Sequence, residues 1–128
     1  MPKAVVMVIG RQHSGETHSS FIIHGLINFL LSKDLTAFKL RNELEFWILP
    51  IVNPDGVIVG NYRCNLQGKD MNRQFFADED PDVKKQGLCH EVELIRTYMK
   101  AHIPQGGISM FLDIHAHSTQ SSIFIYSP

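Results

Sequence analysis

The stretch Phe111-Leu112-Asp113-Ile114-His115-Ala116-His117-Ser118 decides how this chain is read. An apolar run enters it, and two histidines and a serine leave it. The pattern is that of a buried strand delivering polar side chains at its C-terminal end. Open α/β sheets place their ligand sites at such strand ends. Near the other end of the chain, His13-Ser14-Gly15-Glu16 follows a second apolar run. Two histidines and one carboxylate from separate segments match the three protein ligands of a hydrolytic zinc site, which keeps its fourth position open. His-x-x-Glu alone is a weak signal, since a glutamate at a helix start is also favoured by the helix dipole. Its place between a strand and a helix gives it weight.

Working outward, residues 3–9 (KAVVMVI) read as a short buried strand, and 10–20 as a polar loop. A helix of about 15 residues follows, with Ile22, Leu26, Phe29 and Leu30 on one face and Thr17 or Ser19 as its cap. Leu35 to Asn42 reads as a connector, and LEFWIL (44–49) as the second strand, ended by Pro50. The long irregular stretch from Ile51 to Gly87 points to function, because structureless connections of that length are uncommon. In it, Asn53-Pro54-Asp55-Gly56 predicts a turn, with Pro54 fixing φ and Gly56 permitting φ > 0. Asp78 to Asp82 reads as a solvated acidic turn. A second helix is predicted over 88–101, with Leu88, Val92, Ile95 and Met99 on one stripe. Residues 108–114 and 122–126 complete the predicted strands. The order β-α-β-loop-α-β-β indicates one α/β domain over residues 1–128, with a mostly parallel or mixed sheet flanked by helices.

Composition narrows the function. The chain has 128 residues, 44% of them hydrophobic, enough for a real core. A formal charge of −1 carries no basic excess, which argues against nucleic acid as a partner. The longest nearly apolar run, Phe21 to Leu31, is too short to span a bilayer, so no membrane role is expected. Cys64 and Cys89 form neither a metal-binding pair nor a disulfide framework, and the N-terminus lacks a signal-peptide pattern. These features point to a reduced, cytoplasmic setting. His18 and His24 read as surface or core-edge histidines, His90 and His102 as exposed, His117 as lining the site, and Cys89 as core.

The remaining polar residues suit carboxylate and oxyanion chemistry. Arg73 beside Asn72 offers a fork that can bind both oxygens of a carboxylate. Arg63 is a second cation, suited to a developing oxyanion. Asp70 or Asp113 could accept a hydrogen bond from a ligand histidine and fix its tautomer.

HSGETHSS, NPDGVIVGNYRCNLQGKDMNR and DIHAHS, in this order and spacing, resemble the zinc carboxypeptidase family. They are most similar to its cytosolic carboxypeptidase branch, which removes C-terminal amino acids, notably glutamates, from tubulin and other proteins. The resemblance runs over nearly the whole chain. It implies one zinc ion held by His13, Glu16 and His115, with Asp70 orienting His13. It implies that Arg63 polarises the scissile carbonyl and that Asn72 and Arg73 hold the terminal carboxylate of a protein or peptide. It also implies a cis peptide at Ala116–His117. One departure concerns length. The family's general-base glutamate and the tyrosine that closes over substrate lie well beyond the third ligand, whereas thirteen residues follow His115 here and none is acidic. The chain therefore resembles a partial zinc-carboxypeptidase-like domain, the first half of a catalytic domain, with an exposed sheet edge. Two rival readings are a zinc-dependent deacylase of N-acyl amino acids and a non-catalytic module that binds zinc and peptide carboxylates.

Overall fold

A computed structural model describes residues 2–75 and 87–126. The elements are β1 (Ala4–Gly10), α1 (His18–Leu31), α2 (Leu35–Glu43), β2 (Leu44–Leu49), α3 (Pro54–Val59), a 3-10 turn (Met71–Arg73), α4 (His90–His102) and β3 (Ile108–Ile114). The three strands form one parallel sheet in the order β2-β1-β3. The expected α/β architecture is therefore present, with helices against the sheet.

β1 is central because its sequence can be buried on both faces. Its run AVVMVIG is β-branched and uncharged, and all but its first residue are buried. Alternate side chains enter two separate cores. Val6 and Val8 pack with Ile23 of α1, while Met7 and Ile9 pack with Val52, Met71, Cys89 and Val92. Cys89 is thus a core residue, as expected. On α4, Val92, Ile95 and Met99 form the predicted stripe, and buried Cys89 takes the place expected of half-buried Leu88.

Several expectations change in the structure. On α1 the buried face runs through Ser19, Ile23 and Leu30, not through Ile22 and Phe29. Ile23 is 1% exposed and Ile22 53%. The helix is apolar on more than one side, so its periodicity admits both phases. Neither predicted cap acts: Thr17 occupies the cap position without a side-chain bond, and Ser19 Oγ donates to Glu16 O at 2.9 Å.

Residues 35–42 are helix, not connector. Asp34 caps α2 by accepting from the backbone N–H groups of Thr36 and Ala37 at 2.7 and 3.2 Å. The Asn53–Gly56 turn is the start of α3, with Asn53 Oδ1 accepting from Gly56 N at 3.0 Å and Pro54 in the first turn. Gly56 is needed there for space, since a Cβ would meet Asn53 Oδ1 at 2.6 Å. The positive φ falls instead on Gly60, which ends α3 at φ 86°.

The fourth strand does not form: residues 122–126 carry no ladder pairing, and Ile123 is fully exposed. An alternating apolar run makes a strand only beside a strand that can pair with it. Phe124 packs instead edge-on against His117 and Tyr126, with ring centroids 5.5 and 5.3 Å apart. The acidic turn expected over 78–82 lies outside the described residues. Among the described residues no single helix is long and apolar enough to cross a membrane.

The phase of α1 is directly testable. Ile23→Ala is expected to destabilise the protein by about 2–5 kcal/mol, as for other truncations of buried aliphatic residues. Ile22→Ala should stay within about 0.5 kcal/mol of the parent. Urea denaturation midpoints distinguish this phase from its neighbour.

Candidate metal centre

Two neighbouring strands build the site. β1 and β3 run parallel, and their register sets Gly10 opposite Ile114. The loops leaving them therefore emerge side by side at the C-terminal edge of the sheet. Loop 11–17 carries His13 and Glu16, and the segment after β3 carries His115.

Glu16 lies between the two histidines. Its Oε1 is 2.8 Å from His13 Nδ1 and its Oε2 is 3.0 Å from His115 Nδ1. The two rings are 4.8 Å apart, centroid to centroid. Ligand atoms from all three residues lie within 4.8 Å of one another, close enough to hold a single ion. The donor set of two imidazoles and one carboxylate suits zinc.

The far side of each ring is also held. His13 Nε2 is 3.1 Å from Asp70 Oδ1, and His115 Nε2 is 2.8 Å from Asp113 Oδ2. An Nε2–H donated to a carboxylate leaves the Nδ1 lone pair facing Glu16, which is the tautomer a metal requires. The sequence left Asp70 and Asp113 as alternatives, and the structure uses both, one per histidine. Asp113 lies near the end of β3 and His115 just past it, two positions on, so their side chains leave on one side.

The hydrogen bonds also shift the ionisation of these groups. Burial pushes the Glu16 carboxyl up, but the backbone N–H of Ala116 at 2.8 Å, with His13 and His115, outweighs it and holds the carboxyl below its ordinary value. For Asp70, burial is likewise overcome by hydrogen bonds from Arg63 and His13, and its carboxyl is lowered. The hydrogen bond to Asp113 raises the His115 imidazole above its usual range, against the effect of burial.

Arg63 joins the cluster through Asp70, donating from Nε to Oδ2 at 2.8 Å, and its side chain is 41% exposed. One carboxylate thus orients His13 and tethers the guanidinium. Asp70 also accepts from Asn72 N at 3.0 Å and so caps the 3-10 turn. Met71 of that turn is buried in the core, which fixes the half-buried Asn72 and the exposed Arg73 beside it. A backbone staple ties the two loops together. Ser14 Oγ donates to Asn61 O at 2.8 Å, and Gly15 N donates to Tyr62 O at 2.7 Å. A Cβ on Gly15 would meet that carbonyl oxygen at 2.6 Å, so only glycine permits the approach.

His117 stands apart from the cluster. It is exposed, and its Nδ1 accepts from the backbone N–H groups of Thr119 and Gln120 at 3.2 and 3.1 Å. His18, His24, His90 and His102 are exposed as expected. No peptide bond among the described residues is cis, so the Ala116–His117 bond is trans. The turn after β3 is closed by the bond from Ala116 N to Glu16. Sequence reasoning missed the loop-organising roles of Arg11, Ser14 and Gly15. The paired Asp113 and His115 carry a readable signal, because residues two apart on a strand share a face.

Comparison with known proteins shows what the chain is similar to. A family model described as zinc carboxypeptidase matches residues 2–127. Cytosolic carboxypeptidase 6 of Mus musculus is 43% identical over 126 residues, which are 97% of this chain and 22% of that protein. Cytosolic carboxypeptidase 2 of Danio rerio is 36% identical over 124 residues, 97% of this chain and 16% of the relative. Among solved structures, a metallo-carboxypeptidase from Burkholderia cenocepacia superposes with a TM-score of 0.75 at 35% identity, covering 91% of this chain and 30% of its own. The chain thus spans about a fifth of the mouse relative's length.

The two aspartates give a test of the site. Asp113→Ala and Asp70→Ala are each expected to weaken zinc binding by about 10–100-fold, as loss of a ligand's hydrogen-bond partner generally does. Competition against a chromogenic chelator measures it. Unchanged affinity in both variants would mean that the aspartates do not set ligand orientation.

Proposed function

The chain belongs to the zinc carboxypeptidase family, and from that premise we propose that His13, Glu16 and His115 hold one zinc ion in a site for the C-terminal residue of proteins or peptides. The reaction is hydrolysis of the last peptide bond, with glutamate among the residues removed and tubulin among the substrates. The single observation that carries this reading is the Glu16 carboxylate held between two Nδ1 atoms whose rings are anchored behind by Asp70 and Asp113.

Zinc held there supplies Lewis acidity for a scissile carbonyl. The chain's own residues do the rest of the binding. His13 and His115 present Nδ1, and Glu16 stays ionised. Arg63, with Nε engaged by Asp70, keeps its terminal nitrogens for the oxygen on which charge develops. Arg73 and Asn72 take the free carboxylate, with Arg73 contributing a fork exposed to solvent.

Turnover also needs a group that moves a proton, and general-base help is typically worth about 10²–10⁴-fold. The carboxylates of Glu16, Asp70 and Asp113 are each committed to a histidine. That commitment favours binding ahead of hydrolysis for the 128-residue chain by itself. The names of the cytosolic relatives and the free thiols of Cys64 and Cys89 support a cytoplasmic setting.

Calorimetric titration of the zinc-loaded chain with a glutamate-ending peptide and its C-terminal amide tests the reading. The free acid is expected to bind at least about tenfold more tightly, given about 1.5–3 kcal/mol for a hydrogen bond to a charged group. Arg73→Ala should remove the difference. Equal affinity for acid and amide in the parent protein would refute carboxylate recognition. Mass spectrometry of the same mixtures reads release of the last residue, and an N-acyl glutamate cleaved in preference to the peptide would point to a deacylase.

A further inference from the structure

We propose that Arg11 is the positioning residue of the metal centre, its side chain clamping the loop that carries His13 and Glu16; this rests on the zinc reading of that site. Arg11 has φ 53°, the one positive φ at a non-glycine residue among those described. Glycine takes that conformation without strain, whereas other residues are rarely found there. An arginine held there therefore points to a use for its side chain.

The contacts identify that use. The left-handed turn sends the Arg11 backbone N–H to Ser19 Oγ at 2.9 Å and its carbonyl to Asn53 N at 3.1 Å. The side chain then folds back over the loop. Nε donates to Ser14 O at 3.0 Å, and Nη1 donates to Ser20 Oγ at 3.0 Å. Ser14 lies directly between His13 and Gly15, and Ser20 lies in the first turn of α1. The guanidinium thus spans the loop from inside the His13–Glu16 segment to the helix. Ser19 Oγ, which receives the Arg11 amide, donates in turn to Glu16 O. A cation near a helix N-terminus opposes the helix dipole, so these hydrogen bonds, not general electrostatics, keep Arg11 there. Both metal-facing residues of the loop are fixed from this one position, although Arg11 touches neither ligand atom.

Two readouts on the 128-residue protein test the clamp: zinc affinity by chelator competition, and amide exchange of Gly15 and Glu16 in the metal-free protein. Arg11→Gly removes the side chain and relieves the backbone. It is expected to hold or raise the melting temperature, speed exchange at both amides, and weaken zinc binding by about tenfold, the scale seen when ligand-orienting partners are lost. Arg11→Lys, which keeps a donor, should recover part of both. Ser20→Ala, which removes one anchor and leaves the loop sequence intact, should shift both in the same direction by less, and it stands in if the glycine variant does not fold. A glycine variant within twofold of the parent in both readouts would overturn the proposal, as would a lysine variant no better than the glycine. Absence of zinc binding in the parent would refute the zinc reading, and amide exchange would still decide the clamp.

Discussion

The parallel pairing of β1 with β3 is the constraint on which the site depends. With Gly10 opposite Ile114, the chain leaves both strands at one edge and at one height. His13 and His115, far apart in sequence, then share the Glu16 carboxylate, which reaches His115 across ninety-nine positions. A slip of one residue in that pairing would turn the β3 side chains to the opposite face. His115 and Asp113 would go with them. The register is held by burial: Val6 and Val8 fill one core and Met7 and Ile9 the other, so β1 cannot shift without exchanging its two faces.

Around that pairing several polar groups serve more than one partner. Asp70 serves His13, Arg63 and the 3-10 turn together. The Ser14 and Gly15 bonds to Asn61 and Tyr62 tie the metal loop to the segment that carries Arg63. The positions of the His13–Glu16 loop and of Arg63 are therefore coupled through two routes, one through the Asp70 carboxylate and one through the Ser14 and Gly15 bonds. Such second layers of bonds are what convert suitable ligand types into a site of defined shape. The Asp70 carboxyl is lowered against burial by its bonds from Arg63 and His13, and the Glu16 carboxyl by Ala116 N, His13 and His115.

Much of this was readable in the sequence, and the failures have physical causes. Strands 44–49 and 108–114 carry apolar runs bounded by turn residues, and their limits agree with the structure, but β3 is not the buried strand its run suggests: as an edge strand it leaves Met110, Phe111 and Leu112 exposed. The clustering of His13, Glu16 and His115 was readable because these residues follow strand ends. The phase of α1 was not, because Phe21, Ile22 and Ile23 are consecutive apolar residues and only the sheet selects Ile23. Helix α2 hid behind a mixed pattern; its cap, Asp34, and buried Ala37 carry it more than any apolar stripe. Residues 122–126 look like a strand but find no neighbour to pair with. The positive φ of Arg11 leaves no trace in an L-residue's identity, so the clamp emerges only in three dimensions.

The central claim is that this chain assembles the three ligands without help from any other element. Elemental analysis of purified, folded protein, beside His115→Ala, tests it most directly. One zinc per chain in the parent and none in the variant is the expected result. A folded parent without stoichiometric zinc, or a variant that retains it, would contradict the assignment of His13, Glu16 and His115 as one metal centre.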